Sequence, residues 1–362
     1  MKKKVQKLLT ILGIGIICLG IMKYGSDLLL RKENVNIDET PEKDYIVVGF
    51  SQLGAESDWR NANTESMKEA FSQKNGYKLL FEDGQQKQSN QITAIRTFIQ
   101  QGVDYIVLAP VTENGWDTVL QEAKDAGIPV IVVDRMVDIE NSDLFTCWVG
   151  SDFELEGKKA TEWLQQYTIE KGIAPQDVHI VNIQGTIGAS AQIGRTKALR
   201  EAAEENGWEL LEEVSGEFTQ AKAKEVMEYF LKKYEDINVV YCENDNEAYG
   251  AIEAIEAADK KVGSDIANGE IMVISFDGVK NDAKSYVVDG KISCIAECNP
   301  LHGPRVKAII ELLESGRTPD KFYYVDGEVY TADETVEKIS INGEVYDITV
   351  LTADAIVDKD IK

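Results

Sequence analysis

Residues 103–135 read VDYIVLAPVTENGWDTVLQEAKDAGIPVIVVDR. The opening run VDYIVLA has the β-branched and aromatic content of a buried strand, and Trp116, Val119, Leu120 and Ala123 then recur at helical spacing. Gly127 stands where a helix C-terminus turns left-handed, and IPVIVVD begins another strand. Strand, helix, glycine and strand make the unit of a parallel α/β sheet, because parallel strands need a crossover between them.

The same unit recurs on both sides. Gly76 and Gly102 occupy equivalent joints, 26 and 25 residues before their successors. Met67, Ala70 and Phe71 supply one apolar helix face; Ile92, Ile95, Phe98 and Ile99 supply the next. After Gly150 a second series starts, with strands VHIVNIQG, WELLEEVSG, INVVYCEND and EIMVISFDG and helices expected near 189–206, 219–234, 246–258 and 300–316. A chain of 362 residues has the length for two such lobes.

Five strand runs, 46–52, 79–85, 130–135, 239–245 and 273–278, end in polar clusters. Ligands of open parallel sheets bind beyond the carboxyl ends of the strands, so these clusters should line one cleft between the lobes. Their carboxylates, amides and guanidinium groups make charge-assisted bonds to the hydroxyls of a neutral sugar. Asp134 with Arg135, Arg195 after the turn GTIGAS (185–190), Asn244 and Asp277 are the candidates, and Trp59 offers a wall to the C–H face of the ring. The competing role for each acid or amide is to cap the helix that follows. Capping is expected of Asp245, and binding of Asn244 and Asp277. Neighbouring strand residues point to opposite faces, so Asp134 and Arg135 need not both reach a ligand.

Lys and Arg total 38 against 63 Asp and Glu, a net charge of −25 that repels phosphate backbones, so no nucleic-acid partner is expected. The only histidines, His179 and His302, lack partners at metal or triad spacing, and no P-loop, HExxH or dinucleotide fingerprint follows any strand. No metal, cofactor or catalytic group is therefore expected. Asp245, Glu247, Gly250 and Glu256 fall at calcium-loop positions, but Tyr249 takes a ligand position and the stretch has helical period. Paired acids among Asp134, Asp277 and Glu297 leave a sugar-acting enzyme as the remote alternative. The five cysteines are too few for a disulfide scaffold in a chain of this length. Cys294 and Cys298 lie too far apart along one strand to bridge, so buried thiols are expected, with a bridge to Cys147 left open.

Lys2, Lys3, Lys4 and Lys7 precede an apolar stretch over 8–22, the pattern of a signal peptide or an uncleaved membrane anchor, and 23–44 reads as a polar tether. Either reading places the remainder outside the cytoplasm.

The segments GFSQLGAESDWR (49–60), DGQQKQSNQITAIRTFIQQGVDYIVLAPV (83–111), EAKDAGIPVIVVDR (122–135), IQGTIGASAQIGR (183–195), GEFTQAKAKEVMEYF (216–230) and SFDG (275–278) carry a family likeness. The chain resembles the ribose/galactose type of periplasmic sugar-binding protein of ABC importers, and most closely the galactofuranose-binding members. The resemblance covers about 45–330. It implies the type I fold, two doubly wound parallel-sheet lobes joined by a three-segment hinge near Ser151, Glu297 to Asn299 and Asp326 to Tyr330. It implies an N-terminal lobe of 45–150 plus 298–327, a C-terminal lobe of 151–297 plus 328–340, and a tail of 341–362. A cleft lined by Ser51, Glu56, Trp59, Arg60, Asp134 and Arg135 from one lobe and Arg195, Asn244 and Asp277 from the other would enclose a monosaccharide, with Glu297 at a hinge strand. The partner would be the importer's permease. Ile17 stands before Cys18 where a lipoprotein signal has a small residue, and the chain runs well past 330. A membrane-anchored ectodomain presenting sugar to a sensor kinase is the alternative.

Overall fold

A computed structural model describes residues 45–279 and 281–353, so the expected signal or anchor, the tether and the last residues of the expected tail lie outside it. The first sheet is wholly parallel. It contains β1 (Ile46–Gln52), β2 (Tyr77–Asp83), β3 (Tyr105–Leu108), β4 (Val130–Val133), β5 (Cys147–Gly150) and β12 (Phe322–Tyr324), in the order β12-β5-β4-β3-β1-β2. The second contains β6 (His179–Gln184), β7 (Glu209–Ser215), β8 (Val239–Cys242), β10 (Glu270–Asp277), β11 (Cys294–Glu297), β13 (Val329–Thr331), β14 (Lys338–Ile341) and β15 (Glu344–Val350), in the order β14-β15-β13-β11-β10-β8-β6-β7, with β9 (Lys261–Val262) beside β10.

Period-two alternation sends each strand's side chains to two helical layers. In the first sheet Val48, Phe50, Val107, Ile131 and Val133 pack with Met67 and Phe71 around α1 (Asp58–Ala70) and with Val306 and Ile310 of α9 (Gly303–Glu314). Ile106, Leu108, Val130 and Val132 face the other way, onto Ile95 and Phe98 of α2 (Gln88–Gln101) and Val119 and Leu120 of α3 (Asp117–Asp125). The second sheet repeats the arrangement. Ile180, Tyr241 and Ile274 pack on Trp163 of α4 (Phe153–Glu170) and Leu199 of α5 (Ser190–Asn206). Val181, Val240 and Val273 pack on Met227 of α6 (Gln220–Lys233), Ile252 of α7 (Asp245–Ala257) and Val287 of α8 (Asn281–Val288). The central strands of both sheets are buried on both faces, as in parallel sheets.

The joint glycines Gly76, Gly102 and Gly127 take φ of 88°, 64° and 73°, the left-handed conformation their positions called for. The apparent calcium loop is the helix α7, as its period indicated. Cys147, Cys242, Cys294 and Cys298 are buried free thiols, so among the described residues no bridge reaches Cys147.

The chain passes between the sheets at 151–152, 298–302 and 325–328. These crossings are bonded to one another: Glu297 N donates to Glu328 O at 2.8 Å, and Ser151 Oγ lies 3.4 Å from Val325 O and 3.5 Å from Cys298 Sγ. The segment after 340 differs from the expected tail. β15 pairs in parallel with β13, and the hairpin buries Ile339, Ile341 and Ile348 against the α4 face of the core. Those isoleucines fall on the inward face of an alternating pattern, so burial holds the hairpin to the second sheet.

Candidate functional site

Between the sheets' carboxyl ends lies a narrow cavity lined by Glu56, Ser57, Trp59, Arg60, Asp134, Arg135 and Cys298 on one side and Phe153, Ala191, Arg195, Phe218, Asn244 and Asp277 on the other. The first wall grows from the loop after β1. Ser57 caps α1 by accepting from Arg60 N at 3.2 Å, which sets Trp59 and Arg60 in the first turn. Trp59 Nε1 donates to Cys298 O at 2.7 Å, its ring meets the His302 ring edge-on at 5.5 Å, and the Arg60 guanidinium lies 4.6 Å over its face.

Arg60 Nη2 donates to Asp134 Oδ2 at 2.5 Å and stands 3.5 Å from Glu56 Oε1. Arg135 Nη2 donates to Glu56 Oε1 at 2.5 Å, and its Nη1 to Val111 O at 2.9 Å. Asp134 has φ of 61°, a left-handed conformation rare outside glycine. This break in the extended backbone removes the strand alternation, and Asp134 and Arg135 both line the cavity, where extended backbone would have separated them. Such strain persists only where surrounding bonds over-determine it, here the buried pairing with Arg60.

Asp277 ends β10 in the same conformation, with φ of 86°. Arg195 reaches it from α5 at 3.4 Å and places Nε and Nη2 on Glu156 Oε2 at 3.1 and 2.8 Å, while Nη1 donates to Glu243 O. Two glycines allow this. A Cβ at Gly157 would stand 2.6 Å from Ala198 Cβ, and one at Gly194 would stand 2.8 Å from Glu154 N, so α4 and α5 touch at the level of Arg195 only because both positions lack side chains.

The cap expected of Asp245 is made by its neighbour. Asn244 is the cap: its Oδ1 accepts from Glu247 N at 2.8 Å, and its Nδ2 donates to Phe218 O at 3.1 Å, although the residue also lines the cavity. Asp245 instead ties the β10 end in place, accepting from Ser275 Oγ at 3.0 Å and Gly278 N at 2.8 Å. Ser51 and Glu297 stand outside the lining. Ser51 is still within β1, fully buried beside Gln91, and the chain reaches the cleft only five residues later at Glu56. Glu297 Oε2 turns to the third crossing and accepts from Glu328 N at 3.2 Å.

Phe218, Phe153 and Glu156 escaped the sequence reading. The Arg135 guanidinium lies 5.1 Å over the Phe218 ring, and Gly185 leaves room for that ring, since a Cβ there would meet it at 2.0 Å. An aromatic between a Gly and the capping Thr219, in GEFT, was the available signal.

Burial opposes charge on every group here, and neighbours decide the outcome. For Asp134, Arg60 and Arg135 outweigh burial and hold the carboxyl below its usual range. For Asp277, burial prevails over Arg195 and, with Asp245 nearby, pushes the carboxyl well up. Burial likewise raises Glu156 and depresses Arg135, which shares its surroundings with Arg60 and Arg195. Among the described residues, Arg60 Nε and Nη1 and Arg135 Nε are buried and find no acceptor. Buried N–H groups in native proteins are paired, so these donors call for acceptor oxygens supplied from the cavity.

The chain matches the family model described as a periplasmic binding protein domain over residues 48–337. It is 40% identical over 299 residues to the galactofuranose-binding protein of Escherichia coli (strain K12), covering 81% of this chain and 90% of that protein. A crystal structure from Mycobacterium smegmatis in complex with β-D-fucofuranose superposes with a TM-score of 0.74 at 41% identity, covering 79% of this chain and 91% of that one. The periplasmic binding protein component of the arabinose ABC transporter from Shewanella sp. ANA-3, bound to α- and β-L-arabinofuranose, gives a TM-score of 0.72 at 40% identity over the same shares of the two chains.

Proposed function

We infer that this chain, which belongs to the periplasmic binding protein family, is an extracytoplasmic sugar-binding protein that encloses one neutral monosaccharide in furanose form and hands it to an ABC importer. The buried, acceptor-less donors of Arg60 and Arg135 carry this reading. Sugar hydroxyls accept such bonds while donating to Glu56, Asp134, Asp277 and the Asn244 amide, and Trp59 and Phe218 give apolar walls to the ring. Arg60, Arg135 and Arg195 each already hold a carboxyl partner, Asp134, Glu56 and Glu156, so the cavity presents no unengaged cation to an anionic guest.

Contact from both walls makes the closed arrangement the one the ligand selects. The lobes, 45–150 with 298–327 and 151–297 with 328–340, would turn about the three crossings, the second carrying the C-terminal hairpin along. Residues 1–22 serve as export signal or anchor and 23–44 as tether. In this reading the sugar is released unchanged.

Calorimetry of the purified protein with L-arabinose, D-fucose, D-galactose and D-galacturonate tests the reading. Neutral sugars able to form furanose rings should bind, each at an apparent affinity reduced by its furanose fraction, and the uronate should not. No heat and no thermal shift across the panel would overturn it.

A further inference from the structure

The walls of the cavity do not account for all contact between the lobes. Among the described residues, Asp58 N donates to Asn246 Oδ1 at 2.9 Å, Met136 N to Ser190 Oγ at 2.9 Å, and Glu113 N to Gly188 O at 3.2 Å. Each donor belongs to the first lobe and each acceptor to the second. None of these six residues lines the cavity, yet Asp58, Met136, Ser190 and Asn246 lie within two positions of residues that do. The bonds therefore sit on the rim, around the mouth of the site.

We propose that Ser190 and Asn246 set how tightly the chain holds its sugar without touching it, by latching the rim of the closed cleft. The proposal rests on the sugar-binding reading above. Ser and Asn in the first turn of a helix ordinarily serve that helix as caps. Here they do not. The cap position of α5 is Ala189, which makes no side-chain bond, while the Ser190 hydroxyl accepts from the opposite lobe. Asn244 already caps α7, leaving the Asn246 amide to accept from Asp58. Asp58 is the first residue of α1, and its N–H is one of the donors that a helix start leaves without an intrahelical acceptor. Closure supplies that donor's acceptor from the other lobe.

A ligand that binds only the closed state has its apparent affinity scaled by the fraction of protein already closed. Bonds that form on closure and exclude the ligand raise that fraction equally for every sugar. They act on release, because opening must break them, and they leave the ranking of sugars unchanged. Groups lining the cavity would alter the ranking, since they meet different hydroxyls.

The test compares wild type, Ser190→Ala, Asn246→Ala, the double variant and Ser190→Thr, with L-arabinose, D-fucose and D-galactose as probes. The double variant should weaken binding about tenfold for each sugar, through faster dissociation. Its sugar-free melting temperature should hold, and Ser190→Thr, which keeps the hydroxyl, should stay near wild type. Unchanged affinity, or a reordered sugar ranking, would overturn the latch. Should wild type bind none of the probes, the sugar-binding reading fails, and solution X-ray scattering of the sugar-free proteins decides the latch separately. A larger radius of gyration for the double variant supports it; equal radii overturn it.

Discussion

The two walls of the cleft solve the burial of charge differently. On the first, Arg60 and Arg135 interleave with Glu56 and Asp134 at 2.5 to 3.5 Å, so each carboxylate has a guanidinium and Asp134 stays ionised. On the second, among the described residues, Arg195 is the one cation in salt-bridge contact with Glu156 and Asp277, with Glu243, Asp245 and Glu247 buried behind them. Burial there raises the acids, Glu243 to about 7 and Asp245 to about 7. Paired charge keeps its ionisation when desolvated, and surplus charge is removed by protonation. One wall is an ion-pair lattice and the other an acid cluster held by a single cation.

The largest break in that contrast is Arg195→Ala. It removes the guanidinium in contact with Glu156 and Asp277 and should cost about 3 kcal/mol of stability, by the loss of one partner from a buried pair. Binding should vanish as well. Chemical denaturation and calorimetry read the two effects, and a stable, binding-competent variant would refute the single-cation description.

The walls should also respond to pH in opposite senses. Glu243 is raised in the fold from 4.5 to about 7, so the native state keeps its proton while the unfolded chain loses it. Its contribution is whole below pH 4.5 and is lost as pH rises toward 7, on the order of 3 kcal/mol for that residue. Asp134, lowered in the fold, contributes above its unfolded value of 3.8 and loses that contribution as pH falls through its folded value. Denaturation free energies measured from pH 4.5 to 8 should therefore decline; a rising curve would contradict the acid-cluster description.

Arg135→Ala tests the lattice. Glu56 retains Arg60 at 3.5 Å, so the fold should persist while sugar binding loses about 2 to 3 kcal/mol. Trp59→Phe keeps the aromatic wall and removes only the bond to Cys298 O, an expected loss of about 1 kcal/mol in binding or stability.

The sequence made most strands, most helices, the joint glycines and most of the lining readable, but not α4, whose polar start read as a crossing, nor α8. Apolar periodicity and strand-end position depend only on the local chain, and those two signals pointed to Asp134, Arg135, Asn244 and Asp277. Side-chain direction was less accessible. The left-handed φ at Asp134 and Asp277, the cap role of Asn244 and the turn of Glu297 toward Glu328 each depend on bonds to distant segments. Glu156 lies 39 residues from Arg195, and only the close approach of α4 and α5 through Gly157 and Gly194 brings them together.

By itself, then, the amino-acid order settled which segments are strands, which are helices and which ends carry polar groups, because these follow from near-neighbour sterics and the period of burial. Folding in three dimensions decided which charges became partners, which acids kept their protons and how the two rims met, because desolvation and pairing are properties of groups far apart in the chain and adjacent only in space.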